Sequence, residues 1–213
     1  MKKILMLTTG GTIASLPSEE GLAPTGANTI LSHMGPSAAN YDITTQEILT
    51  LDSTNIQPEE WKIIAGAIYQ NIRLYDGIVV THGTDTMAYT ASMMSFMLRN
   101  VPIPVVFTGS QVPIASPLSD APLNLTCAFA MAASATPGIF VAFDRKIMLG
   151  CRSVKVRTTA FDAFESVNYP YAGVVDSSGL NLDRSVIPPQ RGECVLEDTV
   201  DSDVYLLKLT PGT

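Results

Sequence analysis

Two threonine-centred segments carry the residue types that acyl transfer needs. One is Thr8-Thr9-Gly10-Gly11-Thr12-Ile13-Ala14-Ser15 and the other Thr81-His82-Gly83-Thr84-Asp85-Thr86. Each puts a hydroxyl just past an apolar run and a glycine turn. A hydroxyl so placed can serve as a nucleophile if a base and oxyanion donors stand nearby. Taken singly, either segment reads more readily as a capped turn, because Thr and Asp accept hydrogen bonds from the first amides of a helix. Both in one chain favour a site.

The elements that must position these hydroxyls follow from the pattern around them. Lys3-Ile4-Leu5-Met6-Leu7-Thr8 reads as a buried strand, and Gly10-Gly11 lets the backbone bend sharply and approach a ligand. Gly77 to Thr81 is a second apolar strand, and from Asp85 to Phe96 broad apolar faces recur at helical spacing, with Thr84 and Asp85 opening that helix. Further strands are predicted near 42–51, 104–108 and 138–143, with helices near 58–73, 85–99 and 120–134. Pro58 followed by Glu59-Glu60 is a good helix start, since proline lacks an amide the first turn cannot use and carboxylates suit the positive end of the dipole. Such alternation predicts an α/β fold with a largely parallel sheet and helices on both faces. Ligands of such sheets bind beyond the carboxyl ends of the strands, where Thr12 and Thr84 fall. From Lys146 onward, short strands with turn signals such as Asp176-Ser177-Ser178-Gly179 predict a following β-hairpin region.

Thr9 to Ala14 together with His82 to Thr90 resembles the two signature segments of the bacterial-type L-asparaginase family, especially its cytoplasmic type I branch. Leu51-Asp52-Ser53-Thr54-Asn55, Phe107-Thr108-Gly109-Ser110-Gln111, Lys155 and Phe161-Asp162-Ala163-Phe164-Glu165-Ser166 fall in the order that family shows, so the resemblance spans the whole chain. It implies an asparaginase-like amino-terminal domain and hydrolysis of L-asparagine to L-aspartate and ammonia, without cofactor or metal. Thr12 would attack the side-chain amide to give an acyl-enzyme, with Thr84, Asp85 and Lys155 supplying a second hydroxyl, substrate positioning and proton traffic. Asp52, Ser53 and Thr54, with Thr84 and Asp85, would hold the amino-acid head of the substrate, and Ser110 would stand near the leaving amide. Without the resemblance, Lys155 reads as a solvated strand residue. His82 is left out of the catalytic set, because a lone histidine more often satisfies a local hydrogen bond. Many relatives place a tyrosine in the loop after the first threonine, whereas this chain offers Leu22 there and has no tyrosine before Tyr41. The stretch from Leu16 to Asn28 reads as a lid.

Other readings stay open: a glutaminase-asparaginase or related amidase of the same fold, a non-catalytic amino-acid-binding domain, and, more weakly, a nucleotide-binding Rossmann domain, for which the spaced third glycine is lacking. A net charge of −7 without a Lys/Arg cluster argues against nucleic acid, and no apolar run is long enough for a membrane span. The three cysteines, Cys127, Cys151 and Cys194, are odd in number and far apart, so neither a disulfide framework nor a zinc set is suggested, and a reducing cytoplasm is the simplest home. Residues 1–184 read as the catalytic domain and 185–202 as a linker rich in turn formers. Residues 203–213 read as the first strand of a smaller second domain of which only the beginning is present. The resemblance implies a homodimer or homotetramer when the chain is full length.

Overall fold

The computed structural model describes residues 1–18, 21–24 and 27–212, with side chains from 14 to 28 excluded. In chain order the first elements are β1 (Lys2–Gly10), β2 (Ser15–Ser18), β3 (Gly21–Pro24), α1 (Ala27–Ser32) and β4 (Tyr41–Leu51). The central layer continues with α2 (Pro58–Asn71), β5 (Gly77–Thr81), α3 (Met87–Met97), β6 (Leu98–Arg99), β7 (Pro104–Thr108), α4 (Ala121–Ala132) and β8 (Gly138–Phe143). Then come β9 (Lys146–Leu149), β10 (Ser153–Lys155), β11 (Phe164–Ser166), β12 (Gly173–Asp176), β13 (Gly179–Leu182) and β14 (Val195–Leu196).

One sheet organises the molecule, in the order β13-β12-β9-β8-β7-β5-β1-β4. The five strands from β8 to β4 run parallel, and β9, β12 and β13 extend the sheet through antiparallel pairings, as the hairpin signals predicted. After β1 the chain moves outward to β4, then crosses back over β1 to reach β5. The direction of winding therefore reverses between β1 and β5, and it is beyond the carboxyl ends of strands at such a reversal that open α/β sheets bind ligands.

Side chains alternate between two cores, one on each face of the sheet. Leu5, Leu7, Ile78, Val80, Val105 and Phe107 point to the face covered by α2 and α3. Ile4, Met6, Val79 and Val106 pack on the other side against α4 and against Ile30 of α1. Val79, Val80 and Phe107 are fully buried, and burying such a side chain contributes about 1.5–3 kcal/mol. The strands that end at the two threonine turns are thus anchored on both faces.

Most expected elements form close to the expected limits. α2 starts at Pro58 as argued, and its entry is closed by the Gln57 amide donating to Glu60 Oε2 over 2.7 Å. α3 differs: it begins at Met87, so Thr84 and Asp85 lie in the turn before it and do not open the helix. The expected strand from Asp203 to Leu209 is not formed, because no ladder partner lies beside it among the described residues. In the stretch read as a lid, β2 and β3 pair antiparallel and α1 follows. The side chains of the proposed lid, including Leu22, lie outside the described residues. No described helix is long and apolar enough to cross a membrane.

Candidate active site

The first turn is built by two consecutive glycines of positive φ, +99° at Gly10 and +80° at Gly11, a region that costs an L side chain strain. Space forbids a side chain as well. A Cβ on Gly11 would stand 2.5 Å from the Cα and N of Gly83, so the first turn lies directly on the second. Thr8 is in register with Thr81, and Thr9 Oγ1 donates to the Thr81 carbonyl over 3.0 Å, which ties the two strand ends together. Thr12 and Thr84, 72 residues apart in sequence, therefore follow touching glycines at one edge of the sheet.

A third segment meets them from β4. The Gly11 amide donates to the Leu51 carbonyl over 3.0 Å, and a Cβ on Gly83 would stand 2.6 Å from both Cβ and Oγ of Ser53. Ser53 is 3% exposed, and its carbonyl accepts from Thr86 Oγ1 over 2.7 Å. Its neighbours are arranged differently. Asp52 Oδ1 accepts from both the amide and the hydroxyl of Thr54, over 2.9 and 2.8 Å, so these two exposed side chains satisfy each other in a capping turn. Of the three residues that this segment was expected to bring to the substrate's head, Ser53 alone is wedged against the second turn.

Lys155 comes from outside the main sheet, at the end of β10, opposite Phe164 of β11. Its side chain is only 14% exposed, unlike the solvated strand residue that the sequence alone suggested. Its Nζ donates to Thr84 Oγ1 over 2.8 Å and to Asp85 Oδ1 over 2.7 Å. Asp85 remains 54% exposed, so its carboxylate is open to a ligand as well as to the lysine. The Thr84 hydroxyl is enclosed and itself donates to Gln111 Oε1 over 3.0 Å. By contrast, the Thr12 side chain is half-buried, and its hydroxyl makes no hydrogen bond among the described residues.

Ser110 is placed nearby but turned away: it is 1% exposed and its hydroxyl donates to the Val112 carbonyl over 2.7 Å. Gln111, which the sequence offered only as the last residue of a segment that carries the resemblance and with no role of its own, is the residue that reaches Thr84. His82 is fully buried, with Nδ1 2.8 Å from the Gly83 carbonyl and Nε2 without a partner among the described residues. Loss of solvent around it pulls its pKa down to about 4, so it is uncharged near neutral pH. Among the described residues no cluster of three or more His, Cys, Asp or Glu side chains could hold a metal ion.

This arrangement offers a half-buried hydroxyl on one turn and, on the turn that touches it, a buried hydroxyl joined to an amine and a carboxylate open to solvent. Comparison with known proteins agrees with that geometry. Residues 3–188 match the family described as "Asparaginase, N-terminal". The L-asparaginase of Thermococcus kodakarensis is 48% identical over 212 residues, covering 99% of this chain and 64% of the relative. Its solved structure superposes with a TM-score of 0.91 at 47% identity, covering 99% of this chain and 65% of that one. L-asparaginase 1 of Escherichia coli K12 is 35% identical over 225 residues, covering 99% and 64%. A glutamyl-tRNA(Gln) amidotransferase component of Archaeoglobus fulgidus is 34% identical over 221 residues, covering 98% and 53%. The chain thus spans less than two thirds of the length of these relatives. With the family model matching residues 3–188, and L-asparaginases 48% and 35% identical over 99% of the chain, the chain belongs to the asparaginase family through its amino-terminal domain.

Proposed function

We propose that this chain is the catalytic part of an L-asparaginase that releases ammonia from L-asparagine by way of an ester on Thr12. One observation carries the reading: Lys155 Nζ lies 2.8 Å from Thr84 Oγ1 and 2.7 Å from Asp85 Oδ1, beside the turn that presents Thr12. The relatives named asparaginase support the substrate. In the first half-reaction the Thr12 oxygen bonds to the side-chain carbonyl carbon and the carbon–nitrogen bond breaks. The proton leaving Thr12 is balanced by the one delivered to the departing amide nitrogen, with Lys155 and Thr84 as the relay. In the second half-reaction water attacks the ester, Thr12 regains its proton, and aspartate leaves. Protein groups and water complete the cycle without a metal or cofactor.

The free side of the Asp85 carboxylate suits the substrate's ammonium, and the Ser53 hydroxyl suits its carboxylate. Asp52 and Thr54 act by holding Ser53 in its turn. Ser110 acts through the loop it closes, near the leaving amide. L-glutamine is the second substrate to consider, because it carries the same head and the same carboxamide one methylene further out.

We read residues 1–184 as the catalytic domain, 185–202 as a linker, and 203–213 as a segment of a smaller domain that would form a strand only beside a partner. Val204, Tyr205, Leu206, Leu207 and Leu209 are each at least 64% exposed, an apolar surface that such a domain would cover. A cytoplasmic setting and a homodimer or homotetramer complete the proposal. The direct test is mass spectrometry after incubation with an electrophilic asparagine analogue. Modification at Thr12, alongside a higher kcat/KM for asparagine than for glutamine, is the expected result. A bound but unmodified ligand, with no ammonia released, would identify an amino-acid-binding domain instead.

A further inference from the structure

Thr84 has one hydroxyl hydrogen and two neighbours that could compete for it. From the geometry we infer that Gln111 is a positioning residue: it takes the Thr84 hydrogen and so obliges Thr84 to accept, rather than donate, the hydrogen bond with Lys155. The inference rests on the proposed reaction and assigns a direction to its relay.

The orientation of the Gln111 amide is set by its surroundings. Nε2 donates to the carbonyls of Thr158 and Ala160, over 2.8 and 3.1 Å, and neither carbonyl has a hydrogen to give. A flipped amide would turn its oxygen towards two other oxygens, so Oε1 must face Thr84. The backbone is held too. The Gln111 amide donates to both carboxylate oxygens of Asp120, over 3.1 and 3.0 Å, and Asp120 precedes the first residue of α4. Lysine Nζ carries donors, and Gln111 Oε1 accepts only. The two partners of Thr84 therefore specify opposite roles for its oxygen, and the alternative, Thr84 donating to an uncharged Lys155 amine, requires its hydrogen to leave Gln111. Thr158 and Ala160 also lie on the loop that joins β10 to β11. One side chain thus orients the hydroxyl and fastens the arm that carries Lys155.

Two variants separate orientation from bulk. Gln111→Met keeps the length and removes both polar ends, whereas Gln111→Glu keeps an acceptor towards Thr84 and adds a charge, while losing the two bonds to Thr158 and Ala160. For Gln111→Met, kcat should fall about 10- to 100-fold with KM within about twofold. Its pH profile should move down, because a released Thr84 hydroxyl can donate to the uncharged amine. For Gln111→Glu the profile should move up, since the carboxylate favours the ammonium. Asp85, the charged group facing Lys155, is untouched in both. NMR of 13C-labelled lysine, with the Lys155 signal identified through Lys155→Arg, should show the same opposite displacements without any turnover. Folded variants with the parent pH profile and the parent Lys155 titration would overturn the inference. Opposite displacements together with full activity of Thr12→Ala would instead sink the proposed nucleophile and leave the role of Gln111 intact.

Discussion

The two threonine turns are alike in sequence and differ in how their hydroxyls are held. Thr12 sits half-buried with no hydrogen bond among the described residues, whereas Thr84 is 6% exposed and bonded on both sides, to Lys155 and to Gln111. An oxygen that must form a new bond to carbon has to be reachable. One that passes or steadies a proton has to be enclosed and oriented. The contrast supports the proposed attack by Thr12 and relay by Thr84, although both lie at the ends of neighbouring strands.

Thr12→Ala breaks the comparison most severely. It should lower kcat for asparagine by at least about 10,000-fold and abolish the covalent adduct in the mass spectrum, with the thermal midpoint unchanged. Thr84→Val should keep the shape, lose about 1,000-fold in kcat, and still permit slow labelling at Thr12. Comparable rates for Thr12→Ala and the parent would reverse the two roles.

His82 tests the rigidity of the second turn. Its pKa is lowered to about 4 by burial, against 6.5 when free, so the unfolded chain binds more protons between those values. Stability is thus fully present above about pH 6.5 and declines as the pH falls through about 4, by roughly 3 kcal/mol in total. Urea titrations between pH 4 and 7 should show that slope, and His82→Gln should flatten it.

Asp85→Asn sharpens the comparison at the open end of the site. The loss of charge should raise KM about 10- to 100-fold, read by initial rates, by weakening the hold on the substrate's ammonium. Because Asp85 is 54% exposed, its pair with Lys155 should cost less than about 1 kcal/mol in a urea melt. Asp52→Ala, which removes the cap beneath Ser53, should have the smallest effect, about 1 kcal/mol of stability by the same measurement.

Much of the fold was legible because buried strands leave an apolar signature and helix starts leave a chemical one. β5, β7 and β8 form over the very residues expected, since each is enclosed on both faces and reads as a short apolar run. The start of α3 was less legible. Thr84-Asp85-Thr86 has the composition of a helix cap, and the contacts of this turn with Ser53 and Lys155 hold it out of the helix. The apolar run from Val204 to Leu209 suggested a strand, but a strand exists only with a neighbour to pair with.

The site divides in the same way. Thr12, Thr84 and Asp85 could be read from their turns, because glycine spacing and strand ends are local properties of the chain. Resemblance alone marked Lys155, which lies 70 residues beyond Asp85 and has an ordinary polar setting in sequence. Asp52, Ser53 and Thr54 were equally polar on paper. Packing against Gly83 singled out Ser53, and the capping turn occupied the other two.

What the sequence by itself determined is the alternation of strands and helices, the glycine turns and the hydroxyls that follow them, since each depends on neighbours within a few residues. Only the tertiary structure decided that those turns touch, that a lysine from a separate hairpin bridges Thr84 and Asp85, and that Gln111 receives the Thr84 hydrogen. Hydrogen bonds and close packing act over about 3 Å, and the adjacency of β1, β5 and β7 in the sheet together with the β10–β11 hairpin, not proximity along the chain, brings these groups within that range.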